Sequence, residues 1–260
     1  MPVRKRVDAM IGQEQRLFRR VLRELIADPL TGPNATNAFG NLVRIHADST
    51  HRQHGQPFNG RFLPWHRALL LEMERLMQGK DPASFIPYWA WTTQECIPNM
   101  VVGFLPSISI NSVTLAVTRT VAIEDDASLP PAALITDLIR HQNGQTDTAQ
   151  YLIFCRRAER LLYDAARKWV GGTMTTADAA ADPFYWILLA TIDKIWADWQ
   201  AFNPATNQIN LVSGTSAMLD PFEDPTTGSP RTANSVLSID SLGYSYQSEA
   251  PVNPVAPSPG

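Results

Sequence analysis

The sequence predicts a mainly α-helical domain, a helical bundle that carries long loops and a few short strands. Several segments place apolar residues at helical spacing, and the stretches between them are rich in Pro, Gly, Asn and Thr. Hydrophobic residues make up 44% of 260 residues, which is enough to bury a substantial core. No linker separates two units, so we expect one domain over residues 1–250 and a Pro-rich flexible tail over residues 251–260.

The first half of the chain predicts three helices. Residues 13–28 carry apolar residues on one face with Arg and Glu outside, and Asp28-Pro29 ends that helix. A second helix is expected over residues 38–49. Residues 50–65 contain Gly, Pro and Asn and are expected to be a loop. A strongly helical pattern then runs from Trp65 to Gly79.

The second half begins with a stretch that has no helical period. Apolar residues alternate with polar ones over residues 108–117, which predicts short strands or extended loop. Asp182-Pro183 is a typical N-cap followed by proline at the first helical position. Helices are expected over residues 131–142, 147–169 and 183–201. The long segment after residue 203 is rich in Pro, Ser, Thr, Gly and Asn, which favours loops.

Composition excludes several classes of function. The net charge is −3, so the chain as a whole has no electrostatic preference for nucleic acid or acidic lipid. No stretch approaches the roughly 18 consecutive apolar residues of a membrane span. The N-terminus lacks the apolar region of a secretory signal, so a cytoplasmic location is expected. Cys96 and Cys155 form no metal-binding motif and are expected to be buried free thiols.

Histidines are concentrated in one short window. Of five in the chain, four lie between residues 46 and 66, and the fifth is His141. The four are His46, His51, His54 and His66. Two antiparallel helices joined by a loop can direct three imidazoles to one point, and imidazole is a common ligand of Cu, Zn, Fe and Ni. The spacing alone fits a metal site, but it also fits ordinary loop histidines.

Motifs around His66 and further along the chain resemble the tyrosinase family, which includes catechol oxidases and molluscan haemocyanins. The similarity spans nearly the whole chain, and the motifs occur in the family's order. They are FLPWHR (62–67), PYWAW (87–91), WVGGTM (169–174), DPFYW (182–186) and the Tyr-Ser-Tyr sequence at 244–246. The resemblance implies a four-helix bundle that holds two copper ions, each bound by three histidines.

Carried over by position, the resemblance assigns the first copper half-site to the histidine window. His46 is expected to be the first ligand and His66 the third. The family's middle ligand usually lies nine residues before the third, where this chain has Pro57. His54 is therefore the candidate for the middle ligand, with His51 as the reserve.

The second copper half-site departs from the family pattern. Tyr163 and Arg167 stand where the pattern has its first two histidines, and Asp164 replaces an Asn. Leu188 and Leu189 replace the His-His pair. Leucine offers no lone pair and arginine stays protonated, so these positions are not expected to hold a metal. We therefore expect one ion, copper or alternatively zinc or another divalent metal, and not the coupled chemistry of two coppers.

Two classes of function stay open at this stage. The first is a single-metal enzyme acting on a small aromatic molecule, oxidatively with O2 or as a Lewis acid. Its substrate pocket is expected to include Tyr163, Asp164, Arg167, Leu188 and Leu189, with Tyr163 and Arg167 as candidate catalytic groups. The second is a non-catalytic metal- or ligand-binding protein. An accessory or lid protein is a further possible partner.

The charge of Arg167 poses a separate question, since a buried arginine without a partner is costly. Asp164 is next to it on the motif but is expected to point elsewhere on the helix. Asp193 is a candidate partner from another segment.

Overall fold

The computed structural model describes residues 2–31, 36–49, 60–110, 112–120, 128–140, 147–203 and 218–247. These residues form a mainly helical domain, which confirms the predicted fold class. The helices are α1 (Gly12–Ala27), α2 (Ala38–Ser49), α3 (Phe62–Lys80), α4 (Asn99–Val102), α5 (Ala132–Arg140), α6 (Asp147–Arg157), a π-helical segment (Ala158–Tyr163), α7 (Asp164–Val170) and α8 (Pro183–Phe202). The predicted tail over residues 251–260 lies outside the described residues.

The N-terminal helices follow the apolar pattern of the sequence. In α1, Phe18, Val21, Leu22 and Leu25 are buried, and Asp28 caps the C-terminus as predicted. Helix α3 begins at Phe62, so the prediction of a loop through residue 65 was wrong for its last residues. Pro64 lies in the first turn of α3, where no backbone N–H is required of it, and this position explains why the proline does not end the helix.

The helix predicted over residues 147–169 is divided into three parts. Helix α6 ends at Arg157, six residues in π conformation follow, and α7 begins at Asp164. Such π segments are often found at functional sites, because they shift the direction of the side chains that follow. Gly171, with φ 68°, ends α7 in a conformation that favours glycine, as the sequence predicted.

Three pairs of short strands accompany the helices. The alternating segment forms an antiparallel hairpin of β2 (Ser107–Ile110) and β3 (Val113–Ala116), which confirms the predicted strands. Strands β4 (Met218–Glu223) and β5 (Pro230–Thr232) also pair antiparallel. Near the chain ends, β1 (Val3–Arg4) pairs in parallel with β6 (Ser245–Tyr246), a pairing that the sequence did not predict.

Helices α3 and α8 pack against each other in the core and are joined by buried charges. Asp193 on α8 accepts hydrogen bonds from Arg67 on α3 and from Arg4 on β1. Arg4 also pairs with Glu74 at 2.9 Å. Burial opposes ionisation of Asp193, but Arg67 and Arg4 outweigh it and hold the pKa of Asp193 below its ordinary value. We call this group, with Tyr244 and Tyr246 donating to Asp193, the charge clamp.

None of the helices in the described part of the chain combines the length and hydropathy needed to cross a bilayer. Of the two thiols, Cys155 is buried as expected, but Cys96 is exposed. The expectation of two buried thiols was therefore wrong for Cys96, which follows the PYWAW segment in an irregular stretch with no core to cover it.

Candidate metal centre

His46 and His66 face each other across the bundle from neighbouring helices. His46 lies near the C-terminal end of α2, and His66 lies in the second turn of α3. Each ring is oriented through Nδ1 by a backbone carbonyl, Ala177 O at 2.9 Å for His46 and Phe62 O at 2.8 Å for His66. A carbonyl can only accept, so Nδ1 carries the proton in both rings and Nε2 presents its lone pair.

Both Nε2 atoms are directed at one point, which is occupied by the hydroxyl of Tyr185. This oxygen lies 2.7 Å from Nε2 of His46 and 3.2 Å from Nε2 of His66. The Tyr163 hydroxyl lies 3.0 Å from that of Tyr185. Because the imidazole Nε2 atoms only accept, Tyr185 donates to an imidazole and Tyr163 donates to Tyr185. The result is a chain of two phenols that ends on two histidines.

The four side chains of this cluster are buried. His46 and Tyr185 have no exposed surface, and His66 and Tyr163 are 3% and 2% exposed. Burial, with a smaller contribution from the positive charge of Arg167, lowers the pKa of His46 to about 3. Burial also raises the pKa of Tyr163 and of Tyr185. The imidazole of His46 and both phenols are therefore neutral near pH 7, as the hydrogen-bond directions require.

Arg167 lies on α7 beside this cluster, and its guanidinium is directed at backbone. Nε donates to Met174 O at 2.6 Å and Nη2 donates to Thr176 O at 2.7 Å. Asp164 lies 3.9 Å from Nη1, so the expectation that Asp164 points elsewhere was wrong: residues three apart on a helix share a face. Asp193, the other candidate partner, pairs with Arg67 and Arg4 instead.

Leu188 and Leu189 complete the residues predicted for the substrate pocket. They follow Tyr185 by three and four positions on α8, so they lie one turn further on the same side of that helix. Both are buried in the core, at 0% and 1% exposure. The Tyr163 ring lies 5.5 Å from the His66 ring and the Arg167 guanidinium lies 5.0 Å from the Tyr163 ring, while the role of these residues and of the two leucines as a substrate pocket stays a prediction.

The predicted three-histidine site can be followed only in part. His51, His54 and His141 lie outside the described residues. Within the described ranges, no three His, Cys, Asp or Glu side chains gather into a metal-binding group. Even so, His46 and His66 fit a metal centre, because carbonyl bonds on Nδ1 leave their Nε2 lone pairs directed at a common point.

The sequence reasoning missed Tyr185, which lies at the centre of the cluster. The sequence did contain an indication of this role. The tyrosinase-family pattern that matches residues 182–186 reads DPxFW, and it has Phe where this chain has Tyr185. Phenylalanine and tyrosine are both read as aromatic core, and only the added hydroxyl distinguishes them. The contact of that hydroxyl with the two imidazoles is formed only when α8 lies beside α2 and α3 in the folded chain.

Comparisons with known proteins identify the family of this chain. The sequence model described as the common central domain of tyrosinase matches residues 36–130 and 117–202. A tyrosinase of Streptomyces antibioticus is 26% identical over 243 residues, covering 79% of this chain and 85% of that protein. The A-type hemocyanin of Enteroctopus dofleini, units Ode to Odg, is 25% identical over 278 residues, covering 94% of this chain and 22% of that protein.

Solved structures share the fold. A functional unit from octopus hemocyanin superposes with a TM-score of 0.68 at 22% identity, covering 95% of this chain and 68% of that chain. The polyphenol oxidase of Grenache (Vitis vinifera) gives a TM-score of 0.66 at 17% identity, covering 96% and 86%. Since the matched central domain takes in more than half of the 260 residues, the chain belongs to the tyrosinase family.

Proposed function

We propose that this tyrosinase-family chain is a copper-dependent oxidoreductase that works with one metal ion on a small phenol- or catechol-like molecule. The observation that carries the proposal is the convergence of the His46 and His66 Nε2 atoms on one point. His54 is proposed as the third ligand, with His51 as the reserve. When bound, copper would supply one-electron redox chemistry, with O2 as the oxidant.

The residues of the chain have distinct roles in this proposal. The carbonyls of Ala177 and Phe62 fix the tautomer and the direction of the two imidazoles. Tyr163 and Arg167 are proposed to line the substrate pocket, with Arg167 as the hydrogen-bond donor to the substrate, because Tyr163 gives its one proton to Tyr185. Leu188 and Leu189 are proposed as its apolar wall, and Asp164 adjusts the position of Arg167. Arg167, Leu188 and Leu189 offer no lone pair to a second copper ion, so the coupled reaction of two coppers is not expected.

Metal content after purification tests the number of ions. With copper supplied, we expect about one ion per chain, lost in His66→Ala. His141→Ala serves as the control because His141 lies outside both copper motifs, and it should bind like the parent. About two ions per chain would contradict our interpretation of Tyr163, Arg167, Leu188 and Leu189. Zinc bound in preference to copper would instead support a Lewis-acid enzyme on the same ligands.

Oxygen consumption tests the reaction. Catechols, monophenols and aminophenols are each supplied with and without ascorbate. A single copper ion delivers one electron at a time, so the remaining electrons must come from the substrate or from the reductant. We therefore expect slow oxidation of catechols without ascorbate and no hydroxylation of monophenols unless ascorbate is present. Fast oxidation of catechol without added reductant would contradict the single-ion proposal.

A second candidate function is that of a non-catalytic ligand-binding protein. The hydrogen-bonded hydroxyls of Tyr163 and Tyr185 favour it. The Tyr185 hydroxyl lies at the point where the two Nε2 atoms converge, and Tyr163 donates to it. This network gives the Nε2 atoms a hydrogen-bonding role that needs no catalysis. Failure of the folded chain to bind copper or zinc would favour this candidate over the enzyme.

A further inference from the structure

The hydroxyl of Tyr185 is placed where a metal ligand of the histidine pair would be. It contacts Nε2 of His46 at 2.7 Å and Nε2 of His66 at 3.2 Å, and these are the nitrogen atoms that bear the lone pairs. It is a fully buried oxygen on the first turn of α8, a helix that Asp182 and Pro183 start rigidly at this position. The phenol therefore cannot be regarded as a surface group that happens to be near.

The separations suit one coordination sphere. Bonds of about 2.0–2.2 Å from a metal to imidazole nitrogen and to oxygen put neighbouring ligand atoms about 2.8–3.6 Å apart at angles between square and tetrahedral. The two distances from Tyr185 to the imidazoles, 2.7 and 3.2 Å, lie close to that interval. One hydroxyl proton serves one imidazole at a time, whereas a cation between the three atoms would engage both nitrogen lone pairs and the oxygen together.

We propose that Tyr185 is itself a metal ligand, as a phenolate, so that the ion is held by His46, His66 and this oxygen rather than by imidazoles alone. The proposal rests on the single-metal function proposed above. Cu²⁺ binds the oxygen and the phenolic O–H bond breaks. The proton passes to the buffer, and neither copper nor tyrosine changes its oxidation state.

Two consequences follow for the site. A phenolate is a harder and more anionic ligand than imidazole, so it favours Cu²⁺ over Cu⁺ and lowers the tendency of the ion to be reduced. Tyr163, 3.0 Å from Tyr185, donates a hydrogen bond to the coordinated oxygen and positions it. Tyr163 is thus a positioning residue in this arrangement, and the fully buried Tyr185 is the ligand.

Absorption spectroscopy of the copper-loaded full chain tests the assignment. A phenolate bound to Cu²⁺ produces a charge-transfer band in the visible region that imidazole ligands do not produce. We expect the parent protein to bind about one copper, to show this band, and to release about one proton per ion. Tyr185→Phe should retain copper through its histidines and lose the band. Resonance Raman excitation within the band should show phenolate ring vibrations in the parent protein.

Two matched variants keep the test specific. Tyr163→Phe removes the neighbouring phenol and should keep the band, moved in wavelength because the donated hydrogen bond is lost. Tyr151→Phe removes a buried phenol that donates to Gly60 O, away from the cluster, and should leave the band unmoved. Copper binding with the parent spectrum in Tyr185→Phe would overturn the ligand assignment and leave the single-metal function standing. A folded parent protein that binds no copper would overturn both.

Discussion

The two halves of the candidate site are both largely buried, with Arg167 as the partly exposed member, but they use their polar atoms differently. In the first half-site, Nδ1 of His46 and of His66 donates a hydrogen bond to a backbone carbonyl, and Nε2 of each ring is directed inward. In the second half-site, defined by Tyr163, Arg167, Leu188 and Leu189, the guanidinium is directed to backbone carbonyls and the leucines offer no polar atom. The one polar group that the second half-site directs inward is the Tyr163 hydroxyl, and it donates to the Tyr185 hydroxyl on the histidines.

In the proposed function, one ion takes the place of the two that the family binds. The first half-site then supplies the nitrogen lone pairs that hold the ion, and the second half-site supplies packing and hydrogen-bond support. On this proposal, variants in the two half-sites should fail in different ways. Variants that disturb the first or its supports should lose metal or much stability, and variants in the second should behave like core or loop substitutions.

The largest expected effect comes from the charge clamp next to the first half-site. Asp193→Ala leaves Arg4 and Arg67 buried without their shared carboxylate, because both guanidinium groups are fully buried. We expect the free energy of unfolding to fall by about 3–5 kcal/mol, measured by urea denaturation. Asp198→Ala, on the same helix, removes a 42% exposed carboxylate paired with Lys194 and should cost at most about 0.5 kcal/mol. Equal losses in the two variants would contradict a stabilising role for the clamp.

The clamp also shows what a single sequence cannot reveal. Helix α3, α8 and the histidine window follow from apolar spacing and from motifs that are local in the chain. Asp193 and Arg4, by contrast, are 189 residues apart, and their pairing depends on how β1 docks on the bundle. Arg167 likewise donates to the carbonyls of Met174 and Thr176, which the sequence did not indicate, in addition to its ion pair with Asp164 at 3.9 Å.

The part of the candidate site that was predicted from the sequence consists of residues whose type alone suggests metal binding. Imidazole is a common metal ligand, and the positions of His46 and His66 in the family motifs made them candidates from the sequence. Tyr185 was not a candidate, because an aromatic residue in a buried helix is consistent with core packing. The folded structure is needed to show that its hydroxyl lies 2.7 Å from Nε2 of His46. The π segment before Tyr163 was missed for a similar reason, since its residues keep a helical pattern and differ only in hydrogen-bond register.

Truncation of Leu188 tests whether the second half-site is core or pocket. Leu188 is fully buried, so Leu188→Ala should leave a cavity and lower the free energy of unfolding by about 3 kcal/mol. Leu161→Ala, which removes a 40% exposed side chain on the π segment, should cost less than about 1 kcal/mol. A Leu188→Ala protein of parental stability with altered binding of a phenol would show that this side chain lines an open pocket instead.

The Arg167→Met variant tests whether the positive charge of Arg167 stabilises the fold or binds a ligand. The variant keeps the apolar stem but leaves the carbonyls of Met174 and Thr176 without their donors, so we expect a loss of about 2 kcal/mol in unfolding free energy. Lys168→Met, at the exposed neighbouring position, should change stability by less than about 0.5 kcal/mol. A variant that is as stable as the parent and binds anionic aromatic molecules more weakly would argue that Arg167 serves the ligand.

The smallest expected effect is a pH-dependent one on the π segment that leads into the second half-site. Burial, with repulsion from Asp164, raises the pKa of Glu159 from 4.5 to about 7. Between these values the folded chain holds more protons than the unfolded chain, so stability falls as the pH rises from about 4.5 to about 7. Glu159→Gln removes this loss and should be more stable than the parent by about 1 kcal/mol at pH 8, a value reduced by solvent screening at a partly exposed carboxylate. Thermal or urea unfolding at pH 4 should show no such difference, and Glu95→Gln, at an exposed position, should show none at either pH. A gain in stability for Glu159→Gln that persists at pH 4 would mean that the substitution acts through packing. Residue 159 would then affect stability as Leu188 and Leu189 are expected to, through core contacts and not through the protonation of a carboxylate.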